Sequence, residues 1–326
     1  MVTYNSQDLL LKAIRSVERH VTGLSYELIV VDNGSSDGTV ALAETAHPGV
    51  NILRNDRNTG YAPAMNRALA SAGGEFVLTM SHDAELTAGA VSALVGFMRS
   101  HPNAGAAGPR TLDGHGGVVS TLHHPSLMLS VWTEIIPLRA WLRRRPWLRR
   151  LLGRIAPNSS GLTSDYSRTH RVAVLDGGCL IIRRSVTDRV GTLDERLMQG
   201  PDDYDFCCRL NRAGFETWFV AEAEVVHRSR PKEKASDLSL TSLRTRLPQM
   251  TYLYRKFNGR FSSRLFNLSA WLLLRKWRRE VRRTYGSDSI QAAALSQAEP
   301  YCLNPGRYAR DYQELWWGRT SEGHCP

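Results

Sequence analysis

Residues 28–39 read Leu-Ile-Val-Val-Asp-Asn-Gly-Ser-Ser-Asp-Gly-Thr. Leu28 to Val31 is a short, β-branched apolar run of the kind that forms a strand covered on both faces. Asp32-Asn33-Gly34 ends the run as a turn. Ser35, Ser36 and Asp37 offer helix N-caps, and a helix is predicted from Thr39. A carboxylate and several small polar groups therefore stand at the carboxyl end of a strand, where open α/β sheets take their ligands. Taken alone, the segment suits an ordinary polar βα loop equally well. Val2-Thr3-Tyr4-Asn5-Ser6 makes the same switch from apolar to polar, so the chain has two such strand ends.

Outward from there, strands and helices alternate through residues 1–110, the pattern of a mostly parallel sheet. Periodicity predicts helices at 7–20, 39–46, 62–73 and 88–100, and strands at 1–4, 27–31, 50–54, 75–80 and 104–107. Thr111 to Val118 is glycine-rich and predicts a turn or hairpin. Residues 157–170 are polar and predict a loop. Val172 to Arg183 returns as strand and glycine turn, followed by a helix over 204–213 and a strand over 217–220. From Ser239 to Tyr285 the chain is helical and basic, whereas the last forty residues lack strong periodicity. The domain organisation expected is a catalytic unit over 1–230 with a basic, aromatic insert at 126–155. A helical membrane-associating extension over 231–285 and an irregular tail over 286–326 follow.

The charge narrows the partners. The chain has 326 residues, and 42 Lys and Arg against 31 Asp and Glu leave it at +11. Such a surplus suits nucleic acid, anionic lipid or a diphosphate-bearing substrate. No RNP, KH or helix-turn-helix signature accompanies it, which argues against nucleic acid. Cys179, Cys207, Cys208, Cys302 and Cys325 show no CxxC spacing, and reduced thiols in a cytoplasmic protein are expected. Met1 leads straight into a strand, so no signal peptide is expected. No run reaches 18 apolar residues, so no membrane-spanning helix is expected. A dinucleotide-dependent oxidoreductase would need a GxGxxG after the first strand, and Met1 to Asp8 contains no glycine.

Thr3-Tyr4-Asn5-Ser6 and Val31-Asp32-Asn33-Gly34-Ser35-Ser36-Asp37-Gly38-Thr39 together resemble the opening of the inverting family-2 glycosyltransferases. With gaps, the resemblance runs from about Met1 to His227. It is nearest to the bacterial rhamnosyltransferase-like branch that builds cell-surface glycans. It implies a GT-A fold: an α/β, mostly parallel Rossmann-like sheet flanked by helices, here with a C-terminal helical basic extension. It also implies a sugar-nucleotide donor and a divalent metal, Mg2+ or Mn2+. The first strand is shorter than is usual in that family.

Sugar transfer needs a grip on the nucleotide, neutralisation of the departing diphosphate, and a base for the acceptor hydroxyl. The resemblance places the nucleotide grip on Thr3, Asn5, Asp32 and Asn33, with Asp32 accepting from a uracil or thymine N3–H. Asn58, Gly60 and Asn66 match the family's Asn-x-Gly…Asn element, which read alone is a turn before an Ala-rich helix. Ser81-His82-Asp83 occupies the slot of the family's Asp-x-Asp. Only Asp83 remains there as a carboxylate, enough for a cation that takes its other ligands from phosphate and water. His227 matches a family histidine that completes the metal site; a surface histidine at a strand end is the alternative. Asp202, Asp203 and Asp205 match the family's catalytic acids, and its base falls on Asp203. Carboxylates so crowded raise at least one pKa or require cationic neighbours, although an acidic helix cap would look the same. Asp176, Gly177 and Gly178 resemble the family's acceptor loop.

Two stretches interleave Trp and Leu with Arg: residues 126–155, and Phe257 to Tyr285. That composition suits a helix lying at a membrane interface, with Trp141, Trp147, Trp271 and Trp277 as inserting residues, or helices packed on the catalytic unit. A polyprenyl-diphosphate-linked acceptor would account for both kinds of residue; a polysaccharide acceptor is also open. The expectation is an enzyme peripheral to the inner face of the plasma membrane, on an anionic surface. It would move rhamnose from dTDP-rhamnose by resemblance, or a sugar from another UDP- or GDP-linked donor. A non-catalytic nucleotide- or glycan-binding relative remains the other class.

Overall fold

The computed structural model describes residues 1–119, 121–123, 127–128, 131, 165–175, 178–197, 201–228 and 239–317. Strands β1 (Val2–Thr3), β2 (Ile29–Asp32) and β3 (Asn51–Arg54) form a parallel sheet in that order. Helices α1 (Gln7–His20) and α2 (Thr39–Ala46) connect them, because parallel neighbours need a crossover. Leu10, Ala13, Ile14 and Val17 bury one stripe of α1 against Val30, Ala43 and Met80. Gly38 rather than Asp37 takes the N-cap position of α2, and Asp37 accepts from the backbone N–H of Thr39, the helix's first residue. Helix α3 (Tyr61–Ser71) leads to β4 (Phe76–Met80), and a parallel bridge between Val2 and Ser81 joins the end of β4 to β1.

Beyond β4 the expected parallel pattern ends. The remaining strands are β5 (Ala84–Leu86), β6 (Ala104–Leu112), β7 (Leu122–His123), β8 (His170–Val172), β9 (Val174–Leu175), β10 (Cys179–Arg183) and β11 (Glu216–His227). A six-stranded sheet has the order β4-β10-β6-β11-β5, with β8 also on β11, and β7 pairs with β9 apart from it. In the large sheet β6 and β11 are the neighbours paired in parallel; β10 lies antiparallel between β4 and β6, so β4, β6 and β11 share one direction. The sheet is therefore mixed, and the difference arises because β5, β8 and β10 enter it from the opposite direction. Helix α4 (Ala90–Ser100) covers it with Leu94 and Met98 against Ala104, Ala107, Ile181 and Val220. Thr111 to Val118 is a turn closed by a Leu112–Val118 bridge.

Strand β11 forms as one piece over the expected 217–220 segment and the polar-apolar run after it. Its register against β6 slips between Val220 and Glu224, a bulge that redirects the strand. The first half pairs with β8 and the second with β5. The 3-10 turn Arg184–Val186 and short helix α5 (Thr187–Val190) follow β10, and α6 (Asp202–Arg212) precedes β11.

By compactness the chain divides into Met1–Pro125 with Leu152–Arg230, and Ser126–Leu151 with Pro231–Pro326. The second unit contains α7 (Leu240–Phe257), α8 (Arg260–Tyr285), α9 (Ile290–Leu303) and α10 (Pro305–Trp317). The tail expected to be irregular over 286–326 instead carries α9 and α10. Ser289 caps α9 by accepting from Ala292 N–H. Its period was hidden because exposed Ile290, Ala293 and Leu303 are as apolar as buried Ala292, Leu295 and Ala298. The tryptophans of α8 do not face outward as expected. Trp277 is buried, and half-buried Trp271 donates its indole N–H to Glu299 at 2.8 Å. Apart from 127–128 and 131, the interfacial stretch 126–155, with Trp141 and Trp147, and the loop over 157–164 fall outside the described residues. No described helix is long and apolar enough to cross a membrane.

Candidate active site

Parallel pairing sets Thr3 opposite Asp32, and Asp32 opposite Arg54, at the carboxyl ends of β1, β2 and β3. Thr3 and Asp32 are buried. Both oxygens of Asp32 accept from Ser35 N–H, at 3.2 and 3.3 Å. Asn5 has φ of 45°, a left-handed conformation that asparagine tolerates better than most residues. From there its N–H donates to Ser35 Oγ and its Oδ1 accepts from Ser36 N–H, each at 2.9 Å. Asn5 thus holds the turn that follows Asp32.

The other expected nucleotide residues spend their side chains within the protein. Asn33 Nδ2 donates to Asn58 Oδ1 and Gly60 O. Its Oδ1 accepts from Asn55, from Thr59 N–H and from Thr59 Oγ1. Asn33 and Asn58 therefore shape the 55–60 loop, and Gly60 turns it into α3 at φ of 90°. Asn66 donates to Leu193 O and Glu195 Oε1 and accepts from Leu193 N–H. Its amide is a tie to the segment leading toward the 202–205 acids. Periodicity could not distinguish a ligand-facing amide from one that clamps a loop.

The tightest cluster lies at the end of β4. His227, last residue of β11, pairs in register with Ala84 of β5. This sets its Nε2 3.0 Å from Asp83 Oδ1. Ser81 Oγ donates to the same oxygen. Burial alone would raise the Asp83 pKa, but hydrogen bonds from His227 and Ser81, with the positive potential of His227 and His82, outweigh it. They hold the carboxyl well below the usual carboxylate range. Ser81, which sequence reasoning counted only as a lost ligand, is thus a donor to the retained one. The i, i+2 Ser-x-Asp spacing is the signal that could have revealed it. Gly178 joins the cluster by accepting from Ser81 N–H at 2.9 Å; Asp176 and Gly177 lie outside the described residues.

Asp202, Asp203 and Asp205 occupy the first turn of α6, where the helix dipole favours negative charge. That helix starts two residues before the expected Tyr204, directly after Pro201 at its N-cap. Asp202 and Asp205 are buried, whereas Asp203 is half-exposed. Asp205 Oδ2 accepts from Arg209 Nε at 2.7 Å. The same guanidinium donates to the carbonyls of Val190 and Thr192. Asp205 therefore serves an internal clamp between α6 and the loop after α5. Sequence assigned Arg209 no role beyond its place in the family-like motif, although its i+4 spacing from Asp205 points to the pair.

Asp83 and His227 offer one hard oxygen and one imidazole nitrogen. An ionised carboxylate suits a divalent cation that takes its remaining ligands from a diphosphate and water. Among the described residues no cluster of three or more His, Cys, Asp or Glu is arranged to hold a metal by itself.

The described fold is similar to that of two solved glycosyltransferase structures. One is GalNAc-T7 with UDP, GalNAc and Mn2+, at TM-score 0.55 and 12% identity over 97% of this chain and 56% of the other. The second is the mannosyltransferase PcManGT from Pyrobaculum calidifontis with GDP-Man and Mn2+, at TM-score 0.53 and 17% identity over 98% of this chain and 86% of that one. In sequence, the chain is 31% identical over 245 residues to N-acetylglucosaminyl-diphospho-decaprenol L-rhamnosyltransferase of Mycobacterium tuberculosis. That match covers 68% of this chain and 76% of the relative. The family model described as glycosyl transferase family 2 matches residues 1–191. It takes in Thr3, Asp32 and Asp83 and stops before the α6 acids and His227. With more than half the chain matched and the mixed GT-A sheet beneath it, this protein belongs to glycosyl transferase family 2.

Proposed function

We propose that the protein transfers a glycosyl group from a nucleoside-diphosphate sugar to a hydroxyl of a lipid-linked or polysaccharide glycan, inverting the anomeric centre. The observation that carries this reading is the ionised Asp83, held by His227 and Ser81 at the end of β4, beside the Thr3–Asp32 strand ends. Asp32 is buried with a carboxylate suited to a pyrimidine N3–H, and Thr3 adjoins it. A bound Mg2+ or Mn2+ would neutralise charge on the departing diphosphate, and Asp83 and His227 are the residues that would hold it. Asp203 removes the proton from the acceptor hydroxyl. That oxygen then bonds to the anomeric carbon as the bond from this carbon to the diphosphate oxygen breaks. Of the three α6 acids, Asp203 alone combines exposure with this task; Asp202 and Asp205 are buried.

The donor sugar is the finer question. Rhamnose from dTDP-rhamnose, delivered to a polyprenyl-diphosphate-linked acceptor, is favoured by the mycobacterial relative and its name. A UDP- or GDP-linked donor is favoured by the nucleotides in the two similar structures. The test is release of nucleoside diphosphate across a panel of dTDP-, UDP- and GDP-sugars, with Mn2+ or with chelator. Proton NMR of the product reads its anomeric configuration. Release with one donor class and an inverted product supports the reading. Nucleotide binding without release from any donor would leave a non-catalytic binding protein instead.

A further inference from the structure

Helix α8 has two unlike faces. Phe266, Ala270, Leu273, Leu274, Trp277 and Val281 are buried, and α8 packs on α7 and α9. On the other side Phe261, Leu265, Leu268 and Leu272 are exposed, at 86%, 51%, 50% and 38%. Their i, i+4, i+7, i+11 spacing aligns them in one narrow stripe, about 16 Å long at 1.5 Å per residue. The same stripe continues into exposed Arg275, Lys276, Arg279 and Arg283. Glu280 is the sole acid from Arg260 to Tyr285, and it lies off the stripe.

We propose that this face of α8 docks on an anionic lipid bilayer. The Phe261–Leu272 half enters the acyl boundary, and the Arg275–Arg283 half lies at the phosphates. Order along the helix argues for lipid. A bilayer offers hydrocarbon directly beneath a layer of anionic oxygens, so a helix tilted with its N-terminal end deeper satisfies both halves at once. The exposed apolar residues share one helix face with a basic continuation, as in helices that lie at the interface. The inserting residues are Phe and Leu; the tryptophans of this helix are turned inward or bonded to Glu299. The inference rests on the second unit alone and is independent of the chemistry assigned to Asp83.

The full chain is tested by flotation with vesicles of phosphatidylcholine containing 30% phosphatidylglycerol, and with phosphatidylcholine alone. Two variants accompany it. One is Phe261→Ser with Leu265→Ser, Leu268→Ser and Leu272→Ser; the other is Arg275→Gln with Lys276→Gln, Arg279→Gln and Arg283→Gln. Wild-type protein is expected to float with anionic vesicles and at least tenfold less with neutral ones. Each basic residue near such a surface contributes roughly fivefold to partitioning. The Gln variant should lose at least tenfold in binding together with most of its salt sensitivity, and the Ser variant should lose the salt-resistant part. Both should keep the wild-type melting temperature and donor turnover with a water-soluble acceptor. No flotation of wild type, or equal flotation of wild type and both variants, overturns the proposal. So does a dimer, seen by light scattering, that the Ser variant dissolves while vesicle binding is unchanged; that result would make the face a contact between copies. Flotation without any donor turnover in wild type would remove the catalytic reading and leave this one standing.

Discussion

His227 Nε2 lies 3.0 Å from Asp83 Oδ1, although one residue ends β11 and the other precedes β5. The antiparallel pairing of these two strands brings them together. His227→Ala and Asp83→Ala should each abolish Mn2+-dependent tightening of donor binding, because both are proposed to act on one ion. Ser81→Ala should weaken it about tenfold, the worth of one hydrogen bond to a charged group. Calorimetric titration of donor with and without Mn2+ measures this, and unchanged metal dependence in both Ala variants would remove the metal assignment.

Asp203→Asn should lower turnover by about a hundredfold or more while leaving donor affinity near wild type, as loss of a general base does. Steady-state kinetics at saturating donor and acceptor, with donor affinity measured separately, decide this. Full turnover in the variant would shift the base to another group.

Arg209→Met should be felt in stability first. It leaves the buried Asp205 carboxylate without its guanidinium and cuts the ties to Val190 and Thr192. Breaking a buried pair from one side costs about 3–5 kcal/mol, whereas Asp205→Asn combined with Arg209→Met should recover part of that loss. Urea unfolding of the single and double variants provides the comparison; an additive double variant would contradict the pairing.

Gly34→Ala meets two obstacles. Gly34 has φ of 84°, and an added Cβ would stand 2.8 Å from the Arg57 Cα. Roughly 1–3 kcal/mol of destabilisation is expected, with a displaced 55–60 loop and a raised donor KM at nearly constant kcat. A donor KM equal to wild type would show that this loop does not bear on the donor.

Burial raises the thiol of Cys179 to about 12 and, with the nearby Asp205 charge, that of Cys208 to about 11. The folded state therefore favours the protonated thiols. Their contribution to stability is whole below the unfolded value near 9 and is lost as pH rises from there through the folded values. Unfolding free energy should fall between pH 9 and 11, and Cys179→Ala should show a shallower fall. Identical slopes for wild type and variant would refute the assignment. The described cysteines 179, 207, 208 and 302 are all free thiols.

Local sequence was enough for the first half of the fold. The alternation of buried stripe and polar turn marked α1 and α2 at their observed limits. The polar switches after Val2 and Val31 marked the strand ends that meet in the β1–β2 pair. Each of these features depends on residues close in the chain, whose spacing records which of them share a face. The mixed sheet was not legible in that way, because the direction and register of β10 and β11 depend on partners far along the chain. Neither was the division of labour among the polar residues. Asn33, Asn58 and Asn66 have the composition of a ligand site, yet the amides of Asn33 and Asn66 bond loop groups and Glu195, and Asn58 Oδ1 accepts from Asn33 and Gly60. Among the acids of α6, burial by the rest of the unit leaves Asp203 half-exposed and commits Asp205 to Arg209. Likewise, sequence identified α8 as basic and apolar, but packing on α7 and α9 turned Trp277 inward and left Phe261, Leu265, Leu268 and Leu272 outside. Sequence thus determined which chemical groups stand at the strand ends. Only non-local pairing and burial decided which of them face one another and which face solvent, since neither strand register nor the covering of a helix face is encoded in the spacing of neighbours.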